Sequence, residues 1–164
     1  MTEETKCQLS ATQLKEQTLR ARMIDDAPTP DEKERLREEF AEWNKQGKPI
    51  TEGITERARK MREAWQAELW SRIVALLEEG AALDPAAIPE SRRNQTLDVL
   101  DVAVRVQNVL QSGFNVETIW DLVHIPPQEF MKRRVMTSRR WWLLIIDAIE
   151  QALKTLTCEH GNGR

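Results

Sequence analysis

Two side chains three positions apart, Arg105 and Asn108, carry the clearest recognition chemistry in the sequence. One is a planar cationic donor, and the other is an amide that both donates and accepts. They fall on a polar stripe, Asp101, Arg105, Asn108 and Ser112, with the four-and-three spacing of one helical face. A helix over Thr96 to Ser112 would put Val99, Val102, Ala103, Val106, Val109 and Leu110 in the core and project Arg105 and Asn108 together into water. An ordinary solvated helix face would use the same residue types. A second group is more one-sided: Lys132, Arg133, Arg134, Arg139 and Arg140 follow one another with no acid between them. Ser138 reads as the cap of the helix that Arg139 opens. Basic charge at a helix N-terminus opposes the macrodipole unless an anion compensates, so this helix start is expected to face an anion.

Catalytic arrangements are missing by comparison. The histidines are His124 and His160, and neither stands with a nucleophile or a second ligand at a recognisable spacing. Cys158, Glu159 and His160 sit in a Gly-containing tail, where a metal site is not expected. No glycine-rich phosphate loop or dinucleotide fingerprint occurs. The expectation is a binding protein that is not an enzyme, with no cofactor and no metal.

The elements that must hold these residues are all helices. Apolar residues recur at three- and four-residue spacing and nowhere alternate strictly, so the fold class is all-α. A first helix is expected after Ser10, where Ser10 and Gln13 make a capping-box spacing, to about Ile24. A second opens at Thr29-Pro30 with Glu32 in the reciprocal position, carries Leu36, Phe40 and Trp43, and stops at Gly47 and Pro49. The strongest signal is a long helix from about Thr55 to Glu79, with Ile54, Ala58, Met61, Trp65, Leu69, Ile73 and Leu76 along one face and Gly80 closing it. Trp70, Val74 and Leu77 widen its apolar surface, so its end must be enclosed by another helix or another chain. A homodimer through this helix is one partner expectation.

Residues 1–80 thus form an acidic helical region, and 81–96 reads as a linker. Residues 97–156 form a compact module of four helices: Thr96 to Ser112, Val116 to Val123, Pro127 to Arg133, and Arg139 to Leu156. A tail, 157–164, follows. In the last helix Trp142, Ile145, Ile146, Ile149, Leu153 and Leu156 make the core stripe. Trp141, Leu144 and Ala148 make a second apolar strip, which is either covered by other helices or a protein interface. Trp70, Trp141 and Leu144 are the candidate interface residues.

Within the module, Leu100-Asp101-Val102-Ala103-Val104-Arg105-Val106-Gln107-Asn108-Val109-Leu110, then Gly113-Phe114 and Ile119-Trp120-Asp121-Leu122-Val123, resemble the helix-hairpin-helix core of the C-terminal domain of the bacterial RNA polymerase alpha subunit. The likeness covers about residues 97–153. It implies docking on the minor groove of A·T-rich DNA and contacts with RNA polymerase or associated transcription factors. It matches Arg105 and Asn108 to the family's DNA-contacting Arg and Asn, a chemistry suited to a narrow, electronegative groove. It matches Met136-Thr137-Ser138-Arg139-Arg140 to the family's phosphate-holding turn, making Ser138, Arg139 and Arg140 DNA-binding candidates and Lys132, Arg133 and Arg134 candidate phosphate contacts. Thr137 stands where the family has glycine. The family's large assembly domain has no counterpart here, which implies a free-standing regulator using the module alone. A protein-interaction adaptor without DNA contact is the alternative.

Bulk properties limit these readings. A net charge of −3 opposes non-specific coating of nucleic acid. The acidity lies N-terminally, since the chain from Asp98 onward carries 8 basic and 8 acidic side chains out of totals of 24 and 27. The longest apolar runs are far shorter than the ~20 residues of a membrane span, and the N-terminus lacks a basic-then-apolar leader. With Cys7 and Cys158 near opposite ends, a reducing, cytoplasmic setting is expected and no membrane partner.

Overall fold

The computed structural model describes residues 11–46, 52–133 and 138–158. The protein is all-α, with no strand among the described residues. Among the described residues the helices are α1 (Ala11–Asp26), α2 (Pro30–Gln46), α3 (Glu52–Ala81), α4 (Glu90–Arg93), α5 (Val104–Phe114), α6 (Ile119–Val123), α7 (Pro127–Met131) and α8 (Arg139–Thr157). A 3-10 turn spans Leu97–Val99. No described helix is long and apolar enough to cross a membrane. The chain divides into two compact units between Gln66 and Ala67, inside α3 rather than in the segment 81–96.

In the first unit α1 and α2 pack through Met23, Ala27, Leu36 and Phe40, with Trp43, Ala58 and Met61 against them. Thr29 starts α2 as its sequence suggests: its Oγ1 accepts the Glu32 amide at 3.2 Å. Asp31 and Glu32 in the first turn complement the macrodipole. Ser10, on which the earlier capping box depends, and Gly47 with Pro49 lie outside the described residues. A charge pair is buried here as well. Arg20 donates to the Glu16 carboxylate and, at 2.6 Å, to Asn44 Oδ1, while its guanidinium lies 5.6 Å from the Phe40 and Trp43 ring centres. The carboxylate, the amide oxygen and the two rings offset the cost of this burial, although Arg20 Nε is buried without a hydrogen-bond partner. On the surface of the unit, Arg57 grips Glu39 through two bonds of 2.6 and 3.1 Å.

Along α3, Trp65, Leu69, Ile73 and Leu77 are all buried within the chain, while Ala58 and Met61 of the same stripe are half-buried. Its last turn uses Leu77 where Leu76 was expected, and Leu76 is half-buried. Gly80 does not end the helix, which runs to Ala81. Its role is close approach: a Cβ there would lie 2.4 Å from the Val123 carbonyl oxygen at the end of α6.

The second unit is organised by α8, whose expected stripe of Trp142, Ile145, Ile146, Ile149, Leu153 and Leu156 is buried in full. Segment 81–96 belongs to this unit and is not a free linker. Ile88 is buried, and Arg92 donates to the Leu156 and Cys158 carbonyls at 3.3 and 2.9 Å, satisfying the open end of α8. The helix expected from Thr96 starts eight residues later. Leu97 and Leu100 are buried as anchors, and the backbone is extended at Leu100. Asp101 is then clasped by Gln151 of α8, whose Oε1 accepts the Asp101 amide at 2.7 Å and whose Nε2 donates to the Asp101 carbonyl at 3.2 Å. As a result Val99 is 48% and Val104 69% exposed, Ala103 is exposed, and only Val106 and Leu110 of the expected face are fully buried.

After α5 the chain reverses at Asn115, in the left-handed region at φ 54°, ψ 42°, which asparagine tolerates better than most residues. A reciprocal capping box of Thr118 and Asp121 then opens α6, with bonds of 3.1 and 2.9 Å. Phe130 of α7 is buried against Phe114, ring centres 4.9 Å apart.

Gly80→Ala is expected to lower stability by at least about 1–3 kcal/mol, because the obstructing atom is backbone. Arg20→Ala, leaving Glu16 buried and unpaired, should cost about 3–5 kcal/mol. Leu14→Ala, at a site 59% exposed, should stay within about 0.5 kcal/mol of wild type. Urea unfolding of the three variants checks this order, and a Gly80→Ala protein as stable as wild type would refute the close approach.

Candidate nucleic-acid interface

The late start of α5 changes the recognition stripe but keeps its central pair. Asp101 is in extended chain and leaves the stripe, whereas Arg105 and Asn108 occupy the first turns of α5 and are exposed. Ser112 Oγ donates to the Asn108 backbone carbonyl at 2.6 Å. The Arg105 guanidinium lies 5.4 Å from the ring centre of Trp141, in the first turn of α8. The fold therefore brings the α5 pair beside the start of α8, two features thirty-odd residues apart in sequence.

At that start Ser138 is the cap, its Oγ accepting the Trp141 amide at 3.4 Å. Arg140 is exposed and Arg139 is half-buried. Arg134, Met136 and Thr137 lie outside the described residues, so the expected phosphate-holding turn is described only from Ser138 onward. Exposed cations at a helix N-terminus raise the local positive potential by adding to the dipole.

Lys132 and Arg133 are engaged elsewhere. Lys132 Nζ is 2.9 Å and Arg133 3.6 Å from the carboxylate of Glu129, and Arg133 also lies over the Phe114 ring at 5.6 Å. The hydrogen bond from Lys132 is the main cause that holds the Glu129 carboxyl below its ordinary value of 4.5. Two cations thus share one anion, and the pair keeps part of its positive charge.

The interface candidates separate. Trp70 meets Trp142 edge to face with ring centres 6.3 Å apart and is half-buried, so it finishes the packing of α3 on α8. Ala148 is buried, Leu144 half-buried, and Trp141 half-buried beneath Arg105. The large apolar side chains exposed in this unit are instead Val99 and Val104, on either side of the clasped segment, and Met131 at the end of α7. A continuous helix from Thr96 would have buried Val99. Gln151, which clasps the chain at this break, is fifty residues distant in sequence.

Other polar groups nearby are committed to structure. His124 stacks on Trp120 at 4.3 Å with Nδ1 2.7 Å from the Trp120 carbonyl, so that nitrogen carries the proton it donates. Asp121 serves the capping box and Glu129 the ion pairs. Among the described residues no three His, Cys, Asp or Glu side chains stand where they could hold a metal.

Because the folded-state pKa of Glu129 is depressed, its ion pair contributes above the ordinary carboxylate value and is lost as pH falls through the lowered one. An NMR titration of the Glu129 carboxyl carbon should show its midpoint rising toward 4.5 in Lys132→Met; an unmoved midpoint would contradict the pairing. Ser138→Ala should cost about 0.5–1 kcal/mol in thermal unfolding, the lower part of the range for caps, given the length of this bond.

No protein-family model, curated protein or solved structure matches the chain.

Proposed function

We propose that the protein is a non-enzymatic, transcription-related regulator whose second unit docks on DNA, with Arg105 and Asn108 entering the minor groove and the start of α8 meeting phosphate. The observation that carries this is the juxtaposition of an exposed Arg–Asn pair on α5 with the exposed Arg140 and capped helix start of α8. An Arg in a narrow groove meets concentrated negative potential, and an Asn amide can meet the acceptors on its floor. The resemblance of residues 97–153 to the polymerase alpha C-terminal domain supports the same assignment. RNA polymerase and its associated factors are the protein partners this reading implies, and the setting is cytoplasmic.

A second reading, a protein-interaction adaptor that binds no DNA, is favoured by one observation. Val99 and Val104 are exposed, Val104 adjoining Arg105 in the chain, and exposed apolar side chains beside charge suit a protein contact. Purified bacterial RNA polymerase is the partner to test, and Val104→Asp is the variant that would weaken that contact without touching Arg105.

The deciding experiment is fluorescence anisotropy of A·T-rich and G·C-rich duplexes titrated with the whole protein at two salt concentrations. Tighter binding to the A·T-rich duplex is expected, falling as salt rises. Arg105→Ala and Asn108→Ala should each cost about 1–3 kcal/mol of that binding. Glu129→Gln, which releases Lys132 and Arg133, should tighten both complexes about two- to threefold through phosphate attraction alone. Absence of binding at either salt, or binding indifferent to Arg105, would overturn the docking reading.

A further inference from the structure

We infer that Trp141 is a positioning residue for Arg105, holding its guanidinium outward as a preformed probe for the groove. This inference rests on the docking reading of the same face. Several arginines of the second unit lie over aromatic rings, yet they are not equivalent. Arg93 over Trp120 donates through Nε to the Ile88 carbonyl at 3.2 Å, and Arg133 over Phe114 shares the Glu129 carboxylate. Arg105 over Trp141 pairs with no carboxylate among the described residues, and its guanidinium meets the indole instead.

The geometry suits recognition for a simple reason. A cation–π contact uses the flat face of the guanidinium, whereas its hydrogen bonds leave through the edge. Lying over Trp141 therefore restrains a long, rotamer-rich side chain without pairing its charge with a carboxylate. Restraint before binding removes part of the ordering cost that a free arginine would meet on entering a groove. The Trp141 backbone is held at the helix start, its amide donating to the Ser138 Oγ at 3.4 Å, and its side chain is half-buried. A tryptophan side chain at this position thus links the α8 start to the α5 pair, and its contribution to DNA binding passes through Arg105.

A double-mutant cycle on the full-length protein tests this, with an A·T-rich duplex as ligand and the Arg105 Nε–Hε resonance as a structural readout in the free protein. Trp141→Leu should weaken binding about two- to fivefold, the scale of an exposed cation–π contact, and should remove the upfield ring-current shift of Arg105 Hε. Trp141→Phe, which keeps an aromatic face, should restore most of both. In an Arg105→Ala background, Trp141→Leu should have no further effect, which a merely structural tryptophan would not satisfy. Additive losses, tighter binding by Trp141→Leu, or equal binding by the Leu and wild-type proteins would overturn the positioning role while the docking reading stood. A wild-type protein that binds neither duplex would overturn both, the docking reading first.

Discussion

The apolar stripe of α8 must leave water, and the second unit is arranged around that demand. Trp142, Ile145, Ile146, Ile149, Leu153 and Leu156 are buried, each side chain stabilising the fold by about 1.5–3 kcal/mol on removal from water. The elements that cover the stripe are short and gain little from their own length, since isolated helices of this size do not persist in water. Packing holds α4 and α6, while specific polar devices fix their ends: the Thr118–Asp121 box, the left-handed Asn115, and Arg92 on the carbonyls of α8. The same helix also sets the surface. Gln151 clasps Asp101 in the non-helical stretch that follows the 3-10 turn and precedes the start of α5 at Val104.

How much of this was legible follows from the range of each interaction. The stripe of α8, the start of α2 at Thr29 and the all-helical class are local, periodic properties, and residue spacing alone predicts them. The break before α5 was hidden: the side chain that clasps the chain there lies fifty residues away. Val99, Val102 and Ala103 have the spacing of a core face, yet beside the segment that Gln151 clasps Val99 and Ala103 are exposed and Val102 is half-buried. Gly80 misled for a related reason: a glycine near the end of an apolar pattern reads as a stop, whereas here the missing Cβ makes room for the Val123 carbonyl. The segment 81–96 has a linker's composition, yet Ile88 and Arg92 tie it to the second unit.

For the candidate site, residue types were legible and their commitments were not. Sequence places Lys132, Arg133, Arg139 and Arg140 in one basic group, but the fold gives the first two a shared carboxylate and leaves Arg140 exposed. It also gathers Arg105 to Trp141, joining what sequence presented as a recognition pair and an unrelated apolar strip. Trp70, by contrast, is absorbed into packing against Trp142. The proposed docking face is what these commitments leave available: Arg105, Asn108 and Arg140, flanked by Val104.

The account turns on the extended segment before α5, and amide hydrogen exchange across residues 96–107 tests it most directly. With the chain clasped at Asp101 and α5 starting at Val104, the Asp101 amide should be protected by Gln151. Val102 to Arg105 should exchange quickly, as first-turn and extended amides do, and protection should resume at Val106, whose amide donates to the Ala103 carbonyl at 2.8 Å. Unbroken protection from Leu100 through Gln107 would mean a helix continuous from Thr96. That result would contradict the clasp, the exposure of Val99 and the placement of Arg105 against Trp141.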